Sequence, residues 1–340
     1  MKNPRLTIAV VTYNRSRFLR ETLACLGALV ESEGGGETEL LVCDNASTDG
    51  TRELLDEFVA EHDFARVRIG DQNRGFDGNI LAAWEGARGD FVWFFADDDL
   101  LRPSAIAAVR RVIAERAPAY IFVNYGVFSK DMTHRIDSLS PACRLPTDTA
   151  FDRGEDALRR LKMAFFFLNA NVVNKRLLGD AAGFRRYDGS AFMHVVFALT
   201  AMQKGSAYCL AGEMIRQRGD NSSGGGESFI RGVRRMRDCA RSLGYARSSV
   251  NSIADSFLWG AFKRGAQIGA AEGGGTRHLA EFRRSFADRP LFWLLIVPIS
   301  LCPRWILAPT RVIFKKLHKT SEIVAARHPL KDVNMLPSEK

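Results

Sequence analysis

The stretch Phe91-Val92-Trp93-Phe94-Phe95-Ala96-Asp97-Asp98-Asp99-Leu100-Leu101 joins five consecutive large apolar residues to three aspartates through one alanine. An apolar run of that length without polar alternation predicts a strand buried on both faces, as in a parallel sheet. Three carboxylates at its end lie beside a core. There, like charges about 4 Å apart repel by roughly 4 kcal/mol at an effective dielectric of about 20. A raised pKa relieves that repulsion, and so does a divalent cation; oxygen ligands suit Mg²⁺ or Mn²⁺. The competing explanation is a helix N-terminus, where acids complement the dipole and Pro103 suits a first turn. That accounts for one or two aspartates, not three.

Upstream, apolar runs at residues 6–11 and 40–43 and the short stretch Arg66–Ile69 predict three further strands. Helices are predicted between them: Phe18, Leu19, Leu23, Leu26 and Leu29 recur at helical spacing, as do Leu54, Leu55 and Phe58, and residues 80–87 have helical character. Alternating strands and helices predict an α/β fold, a doubly wound, mostly parallel sheet with helices on both faces and ligands beyond the carboxyl ends of the strands. Four polar clusters fall at that edge: residues 12–15, 44–49, 73–79 and 97–99. Their coincidence is a stronger signal than any one of them. Within the second, Asp44 also suits an Asx-turn and Asp49 suits a helix cap.

The ordered set Val10-Val11-Thr12-Tyr13-Asn14-Arg15, Val42-Cys43-Asp44-Asn45-Ala46-Ser47-Thr48-Asp49-Gly50-Thr51, Asn73-x-Gly75-x-x-x-Asn79 and Gly89-Asp90-Phe91 leading to Asp97-Asp98-Asp99 resembles family 2 glycosyltransferases of the GT-A fold. The similarity covers roughly residues 5–125. The phenylalanine-rich strand ending in three aspartates further resembles sugar transferases of O-antigen assembly, abequosyltransferase-like members included. The resemblance implies that Asp44 hydrogen-bonds the donor base, that Thr12, Tyr13 and Arg15 frame the nucleotide, and that Asn73, Gly75 and Asn79 belong to the donor side. Asn79 there is expected to fix its loop. Asp97, Asp98 and Asp99 match the segment that holds a divalent ion on the donor diphosphate. Ala96 stands where many members carry the first acid of that run, which leaves open which two aspartates serve.

The whole chain of 340 residues is 46% apolar and 26% charged, the composition of a folded protein with room for one large domain or two. Its net charge of +9 is unevenly placed: residues 1–100 carry 10 Lys and Arg against 19 Asp and Glu, leaving +18 on the remainder. The second part should therefore prefer anionic partners such as nucleic acid, phospholipid or phosphorylated substrate. Six cysteines without a C-x-x-C pair suggest neither zinc site nor disulfide scaffold, and fit reduced thiols in a cytoplasmic protein. The apolar run at 6–11 is too short for the core of a signal peptide.

Beyond residue 100, Ile106, Val109, Val112 and Ile113 mark a helix, residues 119–127 a strand, and 129–149 a loop-rich crossing. Residues 165–168 and 171–174 suggest core strand or wall. A helix running to Met202 follows the segment from Tyr187 to His194. Family members place an acid at the start of such a helix, which makes Asp188 the first candidate for general base and His194 the second. The ordinary alternatives are a helix-terminal acid and a packed helix residue. After a short strand at 207–210, residues 216–223 form a polar segment resembling the loop that closes over the donor phosphates, with Arg216 and Arg218 placed to neutralise a leaving diphosphate. A solvated loop is the alternative.

Residues 1–225 are thus expected to form the catalytic domain (1–125 the nucleotide-sugar half, 126–225 the acceptor half) and 226–290 a helical extension carrying several arginines. Residues 291–302 have no charge, while prolines and Arg304 interrupt the run short of the roughly 20 apolar residues of a membrane span. Trp305 and nearby apolar residues then mix with Arg311, Lys315, Lys316 and Lys319. Residues 291–327 therefore suggest an interfacial membrane segment, or else a packed helical hairpin, and 328–340 a disordered tail. The expected activity is inverting, metal-dependent glycosyl transfer. The donor is a nucleotide-diphosphate sugar and the acceptor a glycan or polyprenyl-diphosphate-linked hydroxyl at the inner face of the membrane. Two rivals are weaker. A nucleotidyltransferase would want a glycine-rich phosphate loop, and residues 12–15 contain no glycine. A nucleic-acid-binding protein would leave the acidic first hundred residues unexplained and lacks a recognised motif, so no nucleic-acid partner is expected.

Overall fold

The computed structural model describes residues 4–219, 226–268 and 278–301. The first part alternates as the sequence predicts: β1 (Leu6–Thr12), α1 (Ser16–Glu33), β2 (Thr38–Asp44), α2 (Thr51–Glu61), β3 (Ala65–Ile69), α3 (Gly75–Gly86) and β4 (Phe91–Ala96). Every residue of β1 and β2 is buried, as are the five apolar residues of β4. This is the two-faced burial expected where helices cover both sides of a parallel sheet. Trp93, Phe94 and Phe95 are fully buried, and Trp84 of α3 stacks near Phe94 beneath them.

The chain continues through β5 (Leu100–Leu101), α4 (Ala105–Glu115), β6 (Tyr120–Phe128), β7 (Thr149–Phe151), α5 (Gly154–Leu161), β8 (Asn171–Asn174), the single turn α6 (Lys175–Leu178), α7 (Met193–Lys204) and β9 (Ala207–Arg218). One sheet takes them all, in the order β3-β2-β1-β4-β8-β6-β9-β5, with β7 on β9. Pairing is parallel from β3 to β4 and antiparallel at β4–β8 and β8–β6. It is parallel again at β6–β9, and β5 and β7 pair antiparallel with β9.

Two boundaries depart from the sequence expectation. Helix α3 begins at Gly75, so Asn79 lies in its second turn and not in a loop. Strand β9 runs to Arg218, past the predicted end at residue 210, because β6 and β5 both pair with its second half. The expected loop at 216–223 is therefore strand up to Arg218, and residues 220–223 lie outside the described residues.

Helices α8 (Gly226–Ser242), α9 (Arg247–Ile268) and α10 (Leu279–Phe286), then a π turn at Phe292–Ile296 and α11 (Val297–Leu301), make up the rest. Arg237, one of the arginines of this extension, is 2% exposed. Its guanidinium donates to Ser285 O and to Asp288, tying α8 to the turn after α10. Of the segment expected to meet a membrane, only 291–301 is described; the remainder of 291–327 and the tail 328–340 lie outside the described residues. Among the described residues no helix is long and apolar enough to cross a membrane. The described cysteines (Cys25, Cys43, Cys143, Cys209, Cys239) are unpaired.

Candidate active site

Sheet register brings the polar clusters together. Thr12 at the end of β1 pairs with Asp44 at the end of β2, while Val11 pairs with Ala96, one residue before Asp97. Thr12 Oγ1 donates to Asp97 Oδ2 at 2.7 Å, and Asn45 N donates to Thr12 O at 3.1 Å. The loop after β1 is cross-tied to the loop after β2: Thr48 N donates to Asn14 Oδ1 at 2.7 Å and Asn14 N to Ser47 Oγ at 2.8 Å. Asp49 takes Ser16 N at 3.0 Å and Thr51 N at 3.3 Å, joining the starts of α1 and α2.

Asp44 is buried and accepts from Ser47 N at 3.1 Å and Ser47 Oγ at 2.5 Å, the turn bonds that its alternative role requires. Tyr13, next after Thr12, is 41% exposed. Asn73 accepts from Asn45 Nδ2 and from Gly75 N, both at 2.8 Å, and Gly75 has φ +72°, a conformation that glycine adopts without strain. Asn79 Nδ2 donates to Cys43 O at 3.0 Å and Thr12 O at 3.3 Å. Its side chain thus fixes the ends of β1 and β2 from below.

The three aspartates divide. Arg15 lies across two of them, with Nε 3.2 Å from Asp97 Oδ1 and Nη2 2.5 Å from Asp98 Oδ2. Asp99 has both carboxylate oxygens engaged by protein donors: Asn169 Nδ2 at 3.0 Å and Arg218 N at 2.6 Å. Burial lifts the Asp97 carboxyl to about 6 against the opposing pull of Arg15 and Thr12. Burial, then the neighbouring Asp98, pushes Asp99 well above the usual carboxylate range. Asn169 and Arg218 N thus occupy both oxygens of Asp99, whereas Asp97 and Asp98 meet on Arg15.

Asp97 and Asp98 fit a divalent cation, because both already converge on one positive group. Among the described residues no third His, Cys, Asp or Glu joins them. A Mg²⁺ or Mn²⁺ there would complete its shell with diphosphate oxygens and water, as such ions commonly do.

Arg216 and Arg218 are not loop residues. Arg218 is buried, with Nε on Asp98 O at 2.8 Å, Nη1 on Lys130 O at 2.7 Å and Nη2 on Glu21 at 2.6 Å. Every guanidinium nitrogen is thus engaged within the protein, Nε on the backbone of the aspartate segment and the other two on Lys130 and Glu21. Arg216 bonds Met132 O and stacks over Phe128 with 4.6 Å to the ring centre. His194 is buried too: Nε2 is 2.9 Å from Phe166 O, Phe76 meets the ring edge-on, and burial lowers its pKa to about 4. That is the packed helix residue of the alternative reading, and we do not assign it the role of base.

Asp188 is exposed at the end of a 3₁₀ turn (Ala182–Tyr187) and accepts from Gly189 N at 2.8 Å. It borders a cavity of about 510 Å³ between this turn and α8, with Arg186, Tyr187 and Arg235 around it. Two residues that the sequence did not single out hold the site in shape. Asn169, fully buried, bonds Asp99 and also accepts Ala96 N at 2.8 Å, closing the end of β4. Asp77, also buried, receives three donors from the segment after Asp188. An amide between Leu168 and Ala170 was the available signal for the first; nothing local marked the second.

Residues 7–192 match the model of glycosyl transferase family 2. The chain belongs to this family. Abequosyltransferase RfbV of Salmonella typhimurium is 32% identical over 117 residues, 34% of this chain and 34% of the relative. The GalNAc(5)-diNAcBac-PP-undecaprenol beta-1,3-glucosyltransferase of Campylobacter jejuni is 27% identical over 123 residues, 36% of this chain and 38% of the relative. The chain thus spans little more than a third of either curated relative. Among solved structures, S. aureus TarS 1-349 in complex with UDP superposes with a TM-score of 0.63 at 15% identity, over 98% of this chain and 94% of that one. At such identity the likeness is one of fold, and it confirms for this family 2 chain the GT-A-like sheet expected from the sequence.

Proposed function

We propose that this family 2 chain transfers a sugar from a nucleotide-diphosphate donor to a hydroxyl acceptor, with inversion and with the help of a divalent cation. The observation that carries this is the convergence of Asp97 and Asp98 on Arg15, at the sheet edge where Thr12 and Asp44 also end. Tyr13 offers an exposed ring for a nucleobase and Asp44 an acceptor for its imide or amino hydrogens. Arg15 is placed to bind the diphosphate. Asp97 and Asp98 would hold Mg²⁺ or Mn²⁺, whose chemistry is to neutralise the charge developing on the departing diphosphate.

Asp188 is assigned the proton of the acceptor hydroxyl, because such an oxygen is a poor nucleophile until that proton is accepted. The acceptor oxygen bonds to the anomeric carbon as the carbon–oxygen bond to the diphosphate breaks, and the electron pair leaves with the diphosphate. For the acceptor we favour a lipid-linked glycan of bacterial surface polysaccharide at the inner face of the membrane. The activity for which the Campylobacter relative is named, the +18 carried beyond residue 100, and the exposed Trp293 and Leu294 support this.

A panel of UDP-, GDP- and CDP-sugars, scored by nucleoside diphosphate release with Mn²⁺ and with chelator, tests the proposal. Release from one donor, abolished by chelator and restored by metal, is expected. Release from none, or release indifferent to chelator, contradicts it.

A further inference from the structure

Helix α7 begins without a cap of its own: the residue before it, Phe192, supplies no side-chain acceptor. The acceptor comes from a helix more than a hundred residues earlier. Asp77 Oδ1 takes Met193 N at 3.0 Å, and Oδ2 takes Ala191 N at 2.7 Å and Ser190 Oγ at 3.0 Å. Ser190 Oγ in turn accepts Phe192 N at 3.0 Å, and Ala191 is held at φ +61°, a conformation that a residue with a Cβ seldom adopts. One carboxylate, 3% exposed, thus fixes the path of the chain immediately after Asp188. Burial raises its pKa, the three donors oppose that rise, and the charge of Asp188 adds to it.

The other end of this connection is the donor side. Asp77 lies in the first turn of α3, between Gly75, whose carbonyl accepts Asn45 Nδ2 at 3.1 Å, and Asn79, which bonds the ends of β1 and β2. The start of α3 is thereby fastened to the ends of β1 and β2, at Thr12 and Asp44, and through Asp77 to the turn that carries Asp188. A cap alone does not require a partner from the donor half; an Asn, Ser or Asp at position 192 would serve.

We propose that Asp77 is a positioning residue for transfer, holding the Asp188 turn in register with the donor loops. The inference rests on the assignment of Asp188 as base. It predicts that Asp77 acts on turnover through Asp188 and not on nucleotide binding.

The test uses the full chain as wild type, Asp77→Asn, Asp188→Asn and the double variant, with the donor that the panel selects. Expected for Asp77→Asn are a Kd for the matching nucleoside diphosphate with Mn²⁺ and a donor KM within about threefold of wild type, and kcat at least tenfold lower. In the Asp188→Asn background the same change should cost less than twofold, since nothing remains to be positioned. Multiplying losses in the double variant, or a loss confined to nucleotide affinity, would overturn the positioning role while leaving Asp188 as base. Wild-type turnover by Asp188→Asn would overturn both. Should Asp77→Asn fail to fold, Ser190→Ala removes one of the three bonds: a two- to fivefold loss in kcat that vanishes in the Asp188→Asn background supports the role, and unchanged kcat refutes it.

Discussion

Arg15 spans Asp97 and Asp98, its Nε 3.2 Å from one carboxylate and its Nη2 2.5 Å from the other. A guanidinium in that position offsets part of the pair's negative charge, so a divalent ion bound there as proposed would compete with it for the same oxygens. At an effective dielectric of about 20 such contacts are each worth up to about 4 kcal/mol, and partial exposure of Arg15 reduces this. Replacing Arg15 with Gln should therefore tighten Mn²⁺ binding to the nucleotide-free protein by at least about tenfold, which corresponds to about 1.4 kcal/mol. Paramagnetic resonance of free Mn²⁺ during a titration measures this directly. Unchanged or weaker Mn²⁺ binding would mean that the metal does not take the place Arg15 occupies.

Asn169 is predicted to be a stability residue. Its carboxamide oxygen accepts Ala96 N and its nitrogen donates to Asp99, both in the interior. Truncation to Ala strands a buried amide and weakens the hold on a buried carboxylate, each worth about 1–3 kcal/mol. Urea unfolding of Asn169→Ala should show a loss of about 3 kcal/mol. Tyr13→Ala, at a ring 41% exposed, should fall within about 0.5 kcal/mol of wild type. Equal stability of the two variants would show that the end of β4 is held by other contacts.

His194 should make the fold sensitive to mild acid. Its pKa is depressed from 6.5 to about 4 by burial, so below 6.5 the unfolded chain binds a proton that the native protein refuses. Stability from this source is complete above pH 6.5 and drains away as pH falls towards 4. The total is on the order of 3 kcal/mol, at about 1.4 kcal/mol per pH unit. His194→Gln keeps a donor for Phe166 O without the titration. The difference in urea midpoint between pH 7 and pH 5 should be smaller in the variant than in wild type. An identical difference would show that the ring is protonated as readily in the folded state.

What the sequence disclosed follows from how local each signal was. The β1, β2 and β4 strands are apolar throughout because they are buried on both faces, and that pattern survives in one dimension. The polar residues at their carboxyl ends stand out by contrast. Asp99 looked like its two neighbours because only tertiary contacts with Asn169 and Arg218 separate them. Strand β9 looked short because Gly212 and Glu213 interrupt its apolar pattern, and its second half is held by pairing with β5 and β6. Arg218 looked like a mobile cation for the same reason. Asp77 could not have been found from its surroundings in the chain, since all three of its donors lie more than a hundred residues away.

The proposed contact with a membrane calls for a more selective change than removal of the tail from residue 291. Phe292 and Ile296 are 1% and 3% exposed, so such a deletion would open the helical extension itself. Trp293 and Leu294, 49% and 68% exposed, occupy the same turn but face outward. An exposed indole and leucine at the entrance to an apolar stretch suit the interfacial zone of a bilayer, where an amphipathic ring is partly buried and partly wet. The double change Trp293→Glu, Leu294→Glu should leave the urea midpoint within about 0.5 kcal/mol of wild type, as expected for surface positions. It should also lower co-flotation with phosphatidylglycerol-containing vesicles at least fivefold, because both apolar burial and charge then oppose binding. High salt should weaken flotation of the wild-type chain as well, since Lys and Arg near an anionic surface contribute about 1 kcal/mol each and are screened. Flotation that survives both the substitutions and the salt would place the membrane contact elsewhere in the chain.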